Sequence, residues 1–240
     1  MLPQPQKRSV RYVVGLPLCV SERCGASGQG ANLKREDVVS SDQPIRLPEV
    51  LLDLRWRLAP ESWELSGGAL TIRAGARTDL FVDPSGGSAT HNTPHLLGRA
   101  DGDFLLSARV SVDFRARFDA GALLLYVDDD HWAKLCFEYA PLDVPTVVSV
   151  VTRGLSDDCN SWPVEGNTTW LRVARRGAAF AFHSSTDGET WTLVRSFALG
   201  QAGDVSAGFL AQSPEGDGCA ATFDSIRFRR EFLGDLRSGA

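Results

Sequence analysis

Gly121-Ala-Leu-Leu-Leu-Tyr-Val127, then Asp128-Asp-Asp130, then Trp132-Ala-Lys-Leu-Cys-Phe-Glu-Tyr139 read as two strands joined by an acidic turn. In the second run Ala133, Leu135, Phe137 and Tyr139 fall on one face, and Trp132, Lys134, Cys136 and Glu138 on the other. That alternation recurs on either side. Strand candidates run over residues 68–73, 104–113, 147–153, 170–174, 178–184, 190–197, 205–210 and 220–228. The connections carry turn chemistry: Arg176-Gly177 makes a short return, and Ser185-Thr-Asp-Gly-Glu189 holds an Asp-Gly pair that tolerates positive φ. No ten-residue amphipathic helix competes, and strands at such spacing predict an all-β sandwich or jelly roll of two antiparallel sheets.

Composition agrees. Of 240 residues, 43% are apolar and 23% charged, with 23 Gly and 12 Pro, which suits a turn-rich β protein with a substantial core. A net charge of −5 argues against a chain that neutralises many nucleic-acid phosphates, and no apolar run reaches the length of a membrane helix. Residues 1–48 differ: they hold seven basic against four acidic side chains, lack sustained periodicity and contain Gly25-Ala-Ser-Gly-Gln-Gly30. They are expected to form an irregular or flexible arm, residues 49–230 the domain and residues 231–240 a tail. The five cysteines are scattered and odd in number, so reduced thiols and a cytoplasmic location are expected. The weak Tyr12–Val20 apolar stretch is broken by Gly15 and Pro17 and makes a poor signal peptide.

Period-2 sorting extends to neighbouring strands. Val148, Val150 and Thr152 are assigned to the core and Ser149 and Arg153 to the opposite face. Leu171 and Val173 turn inward, leaving Trp170 and Arg172 outward, and Phe180 and Phe182 do the same for His183. One sheet face is thereby expected to carry Trp132, Lys134, Glu138, Ser149, Arg153, Arg172 and His183. An aromatic platform beside fixed donors and acceptors suits a sugar, whose C–H faces stack while its hydroxyls are hydrogen-bonded. A solvated face with a structural Lys134–Glu138 or Arg153–Glu138 pair accounts for the same residues.

The stretches Trp132-Ala-Lys-Leu-Cys-Phe-Glu-Tyr139, Ser149-Val-Val-Thr-Arg153 with Asp157-Asp158, Trp170-Leu-Arg-Val173, His183-Ser-Ser-Thr-Asp-Gly-Glu-Thr-Trp191 and Gln212-Ser-Pro-Glu-Gly-Asp-Gly218 together resemble the DUF1349 family over about residues 49–230. The resemblance implies a concanavalin A-like lectin/glucanase jelly roll, a superfold that hosts lectins, hydrolases and scaffolds alike.

Chemistry-bearing candidates are few. The Glu-x-Asp-x-x-Glu strand of a glucanase is absent; Glu138 stands alone on its strand and needs Asp157 or Asp158 from the following segment, read as a loop, to make a carboxyl pair. His91-Asn-Thr-Pro-His95 lies in a loop that does not align its two rings, Asp128–Asp130 lacks a calcium-loop pattern, and Cys19-x4-Cys24 has no second ligand pair, so no metal site is expected. No dinucleotide fingerprint or phosphate loop appears, and no cofactor is expected. The reading is a non-catalytic, lectin-like carbohydrate-binding module or regulator using Trp132, Lys134, Glu138, Ser149, Arg153, Asp157, Arg172 and His183. The alternatives are a glycan-processing hydrolase or lyase using Glu138 with Asp157 or Asp158, and a protein-binding metabolic regulator, which the family resemblance alone implies. A carbohydrate is the expected partner, with a protein partner or homodimer open and no nucleic acid or membrane.

Overall fold

The computed structural model describes residues 9–13, 43–200 and 204–240. Their regular elements are all strands: β1 (Ser9–Val13), β2 (Arg55–Leu58), β3 (Ser62–Ser66), β4 (Ala69–Ala74), β5 (Leu80–Val82), β6 (Ala89–His91), β7 (His95–Arg99), β8 (Phe104–Val112), β9 (Ala120–Asp128), β10 (His131–Ala140), β11 (Val144–Arg153), β12 (Leu155–Pro163), β13 (Thr168–Arg176), β14 (Ala179–Ser185), β15 (Thr192–Phe197), β16 (Ser206–Gln212) and β17 (Cys219–Arg229). An eight-stranded sheet has the order β1-β3-β4-β17-β8-β13-β14-β15, and a seven-stranded sheet has the order β12-β11-β10-β9-β16-β7-β2. Every pairing is antiparallel, and the two sheets form a β-sandwich of jelly-roll type.

The main core lies between the sheets. Leu106, Val110, Val173, Phe182 and Phe223 from the first sheet meet Leu123, Leu135, Phe137, Val151 and Phe209 from the second. Closeness is specified by Gly121: a Cβ there would sit 2.8 Å from the Ala221 Cβ and 2.9 Å from Val110 Cγ1, so the facing sheet can approach only a residue without a side chain.

A second apolar cluster covers the outer face of the seven-stranded sheet. The short β5–β6 hairpin lies across it, packing Leu80, with the partly buried Phe81 and Val82, against Leu124, Tyr126, Trp132, Cys136, Val148 and Val150. Val82 N donates to Ser156 Oγ at 2.9 Å, and Ser156 Oγ lies 2.9 Å from Thr152 Oγ1, tying the hairpin to the β11–β12 edge.

The segment expected to be an irregular arm contributes to the fold where it is described. Ser9–Val13 pairs with β3, Ile45 N donates to Leu54 O at 2.7 Å, and Ile45 and Leu47 are buried in the main core. Residues 1–8 and 14–42, including Tyr12–Val20 beyond Val13 and the Cys19–Cys24 pair, lie outside the described residues. The tail beyond residue 230 packs on the outer face of the eight-stranded sheet, burying Leu233 against Ala174 and Ala181. The described Cys136, Cys159 and Cys219 are all free.

Candidate functional site

Strand β10 presents the side chains as its alternation dictates: Ala133, Leu135 and Phe137 enter the main core, while Trp132, Lys134, Cys136 and Glu138 face outward beneath the hairpin. The neighbouring strand corrects the expected assignment. Lys134 is registered with Val150 and Leu135 with Ser149, so Val148, Val150 and Thr152 share the outer face and Ser149 points into the sandwich. Arg153 lies exposed at the strand end, with Nη1 donating to Ala198 O at 3.2 Å. The cause is composition: Val147, Val148, Val150 and Val151 are apolar on both sides, so alternation alone gives β11 no sign.

Arg172 and His183 are not near Glu138 at all. They are cross-strand neighbours on the outer face of the opposite sheet. There the tail covers them: Arg172 Nη2 donates to Gly239 O at 2.7 Å, His183 Nε2 lies 2.8 Å from Leu236 O, and Trp191 stacks on the guanidinium at 4.3 Å. Desolvation lowers the His183 pKa to about 4 and that of Arg172 to about 10. Both face outward as expected, but in a sandwich that direction belongs to two different surfaces. Trp132 is fully buried under the hairpin, with its Nε1 unpartnered, so it has no face free for stacking.

What remains with Glu138 is a cavity of about 250 Å³ on the outer face, where the hairpin stops short of the β10–β12 edge. Its polar lining is Asp79, Lys134, Glu138, Asp158 and Gln212; Phe81, Phe118, Val150 and Pro214 supply apolar walls. Lys134, only 2% exposed, donates to Gln212 Oε1 at 2.7 Å and lies 3.2 Å from Asp79 Oδ1. Burial pulls its ammonium down, but the carboxylate of Asp79, helped by Cys136 and Glu138, outweighs that and raises the pKa. Gln212 is itself oriented by Nε2 donating to Phe118 O at 3.3 Å.

Glu138 is 7% exposed and its carboxyl accepts no hydrogen bond among the described residues. Desolvation therefore dominates, pushing its pKa up to about 8 despite the opposing field of Lys134. At neutral pH this carboxyl is mostly protonated. Asp158 sits at the exposed mouth, registered with Val150 across from Lys134; desolvation raises its carboxyl too, countered by Lys134. Asp157, the next residue on β12, points the other way and pairs with Arg195 at 2.9 Å. The segment read as a loop is an edge strand, and its alternation separates the two aspartates.

The far wall is held under strain. Phe118 has φ 65°, a conformation that costs a non-glycine residue about 1–3 kcal/mol. Phe118 N donates to Tyr139 O at 2.7 Å, and the buried Asp119 accepts from Arg115 N, Ala116 N and Ser213 Oγ at 2.8, 2.9 and 2.6 Å. Asp119 thus joins the segment before β9 to the Ser213–Pro214 turn. Asp79, Phe81, Phe118 and Asp119 carry no sequence signal that points to the site, and Gln212 and Pro214 lie in the Gln212–Gly218 motif without a pattern that assigns them to it.

Among the described residues no group of three or more His, Cys, Asp or Glu side chains is placed to hold a metal. His95 is buried and stacks on Tyr126, whereas His91 is exposed on β6.

A family model, protein of unknown function (DUF1349), matches residues 56–231. The chain belongs to the DUF1349 family. It is 29% identical over 174 residues to regulation of enolase protein 1 of Saccharomyces cerevisiae, covering 70% of this chain and 85% of that protein. A crystal structure of a functionally unknown protein from Saccharomyces cerevisiae superposes with a TM-score of 0.69 at 25% identity, over 75% of this chain and 97% of that one. A GH43 protein from Bacillus licheniformis gives a TM-score of 0.62 at 17% identity, over 77% of this chain but 38% of that one. At that identity the likeness is one of fold.

Proposed function

We propose that this DUF1349 protein acts on a saccharide held in the Glu138 cavity, with Glu138 as proton donor to a glycosidic oxygen. What carries the reading is the geometry of a carboxyl buried in a cavity without a hydrogen-bond partner among the described residues, where desolvation favours its protonated form, with the second carboxyl, Asp158, at the mouth. A pocket near 250 Å³ is of the size class of a single ring rather than an extended ligand. Apolar walls at Phe81, Phe118 and Pro214 suit the C–H faces of a sugar, and Gln212, Lys134 and Asp79 suit its hydroxyls.

Glu138 and Asp158 stand two strands apart, with the Lys134–Val150–Asp158 row four residues along β10 from Glu138. Strand spacing puts their Cα atoms on the order of 16 Å apart, too far for the roughly 5 Å of a retaining pair, so the inverting arrangement is the one proposed, in which both side chains reach into the cavity and a water stands between them. In the proposed step Glu138 gives its proton to the departing oxygen as the anomeric C–O bond breaks. Asp158 takes a proton from the water whose oxygen forms the new bond.

A second reading, non-catalytic binding, is favoured by one feature: Lys134, not a water site, lies in register with Asp158 and offsets its charge. A hydrolysis and binding screen of neutral oligosaccharides with wild type, Glu138→Gln and Asp158→Asn tests the proposal. Turnover abolished in both variants with binding kept supports hydrolysis. Binding without turnover in any protein supports the second reading, and neither binding nor turnover overturns both.

A further inference from the structure

A second cleft, of about 520 Å³, opens on the other side of the β12 edge. Seven Ser and Thr side chains line it, together with Trp162, Pro163, Val164 and one charged residue, Glu165. Its position follows from an irregularity in β12. Thr146 is registered with Pro163 but Val148 with Asn160, so an extra residue is accommodated between them. Such a bulge re-aims the side chain it carries. Trp162 is thereby turned from the outer face toward the main core and this cleft.

The opposite wall is preformed. Asp187 Oδ1 accepts from Ser185 Oγ, Glu189 N and Thr190 N at 2.8, 2.8 and 2.7 Å, fixing the turn between β14 and β15. Gly188 has φ 78°, and a Cβ there would meet the Trp170 ring at 2.7 Å, so the turn is seated directly on an indole. By contrast, the hydroxyls of Ser184, Thr186 and Thr192 make no hydrogen bond to the described residues. A rigid wall with unspent donors and acceptors loses little entropy on binding.

Charge selects the ligand class. The cleft holds no Lys, Arg or His, which leaves phosphate and polyanions without a counter-charge, and a single carboxylate makes it no cation cage. Neutral hydroxyl groups beside an indole match a neutral sugar ring.

We propose that this cleft is a second saccharide subsite, independent of the Glu138 cavity, recognising a neutral sugar through Trp162, Ser184, Thr186 and Thr192. It rests on the reading above only in the choice of ligand. Asp158 and Trp162 lie on the same strand, one lining each site. One oligosaccharide lying around the β12 edge would therefore meet the cavity first and the cleft four residues further along.

Amide NMR shift mapping with cello-, xylo-, malto- and laminarihexaose tests this, on wild type, Trp162→Ala and Thr192→Arg. The Arg variant fills the cleft from an exposed position and leaves the core untouched. Shifts at residues 162–169 and 184–192, weakened about tenfold or more in affinity by Thr192→Arg, are expected. Shifts confined to residues around 134, 138, 158 and 212 overturn this inference and leave the Glu138 reading standing. Shifts confined to the cleft support the inference and remove the Glu138 reading. No shifts with any of the four sugars overturn both.

Discussion

Replacing Glu138 by Gln should make the protein more stable at alkaline pH and change it much less at acid pH. Burial raises the carboxyl from 4.5 to about 8, so between these values the folded chain holds a proton that the unfolded chain releases. The unfolded state then binds fewer protons, and stability falls as pH rises through that window. At about 1.4 kcal/mol for each tenfold change in proton affinity, the rise from 4.5 to about 8 sets a ceiling of about 4–5 kcal/mol, reduced by water entering at the Asp158 mouth. Glutamine has the shape of the protonated acid and no titration. At pH 9 the substitution should therefore raise Tm by about 5–15 °C, taking 2–4 °C per kcal/mol for a domain of this size, and at pH 5, where only about 0.8 kcal/mol of the linkage has developed, by about 2–3 °C. Thermal denaturation followed by circular dichroism at the two pH values reads the difference. Equal Tm changes at both, or destabilisation at pH 9, would mean that Glu138 is an ionised partner of Lys134, and the proton-donor reasoning would fail.

Lys134→Met removes the cation that satisfies Asp79 and Gln212 inside the cavity, and should cost about 2–4 kcal/mol in urea denaturation at neutral pH; a loss below about 0.5 kcal/mol would show that the pair is solvated. His183, neutral under the tail with its pKa lowered to about 4, is protonated in the unfolded chain from 6.5 downward. Stability should decline by up to about 3 kcal/mol as pH falls through that window, and His183→Gln should flatten the slope between pH 6.5 and 4; an unchanged slope would place the acid sensitivity elsewhere. Cys159 is exposed, whereas Cys136 and Cys219 are buried with thiols pushed up, Cys219 to about 12. Native alkylation followed by peptide mass spectrometry should mark Cys159 and spare the other two; labelling of Cys136 at the rate of Cys159 would contradict the burial under the hairpin.

The strands legible in the sequence are those with one apolar and one polar face, and β10 is the clearest: its split into Phe137 inward and Glu138 outward is the split in the structure. Strand β11 was legible as a strand but not in orientation, because its valines are buried on both sides and only register with β10 tells them apart. Strand β12 escaped because Ser156-Asp-Asp-Cys-Asn-Ser161 is polar, as an edge strand can be. The hairpin β5–β6 was the larger omission. Three-residue strands in a Gly- and Pro-rich stretch leave no period, yet they bury Trp132 and wall the Glu138 cavity on the outer face. Lys134 and Glu138 could be named from spacing, since they share a strand face; Asp79, Phe118 and Gln212 come to them from three distant segments, which no local pattern records. Arg172 and His183 were drawn to the wrong surface because period-2 sorting says that a side chain is outward without saying from which sheet.

Saccharide binding beside Glu138 is tested most directly by a crystal structure of Glu138→Gln soaked with the neutral oligosaccharides of the screen. A sugar ring is expected in the cavity between Phe81, Phe118 and Pro214, with a glycosidic oxygen within about 3 Å of the side chain at position 138. Sugar density only on other surfaces, or a cavity closed to every oligosaccharide tried, would contradict that expectation.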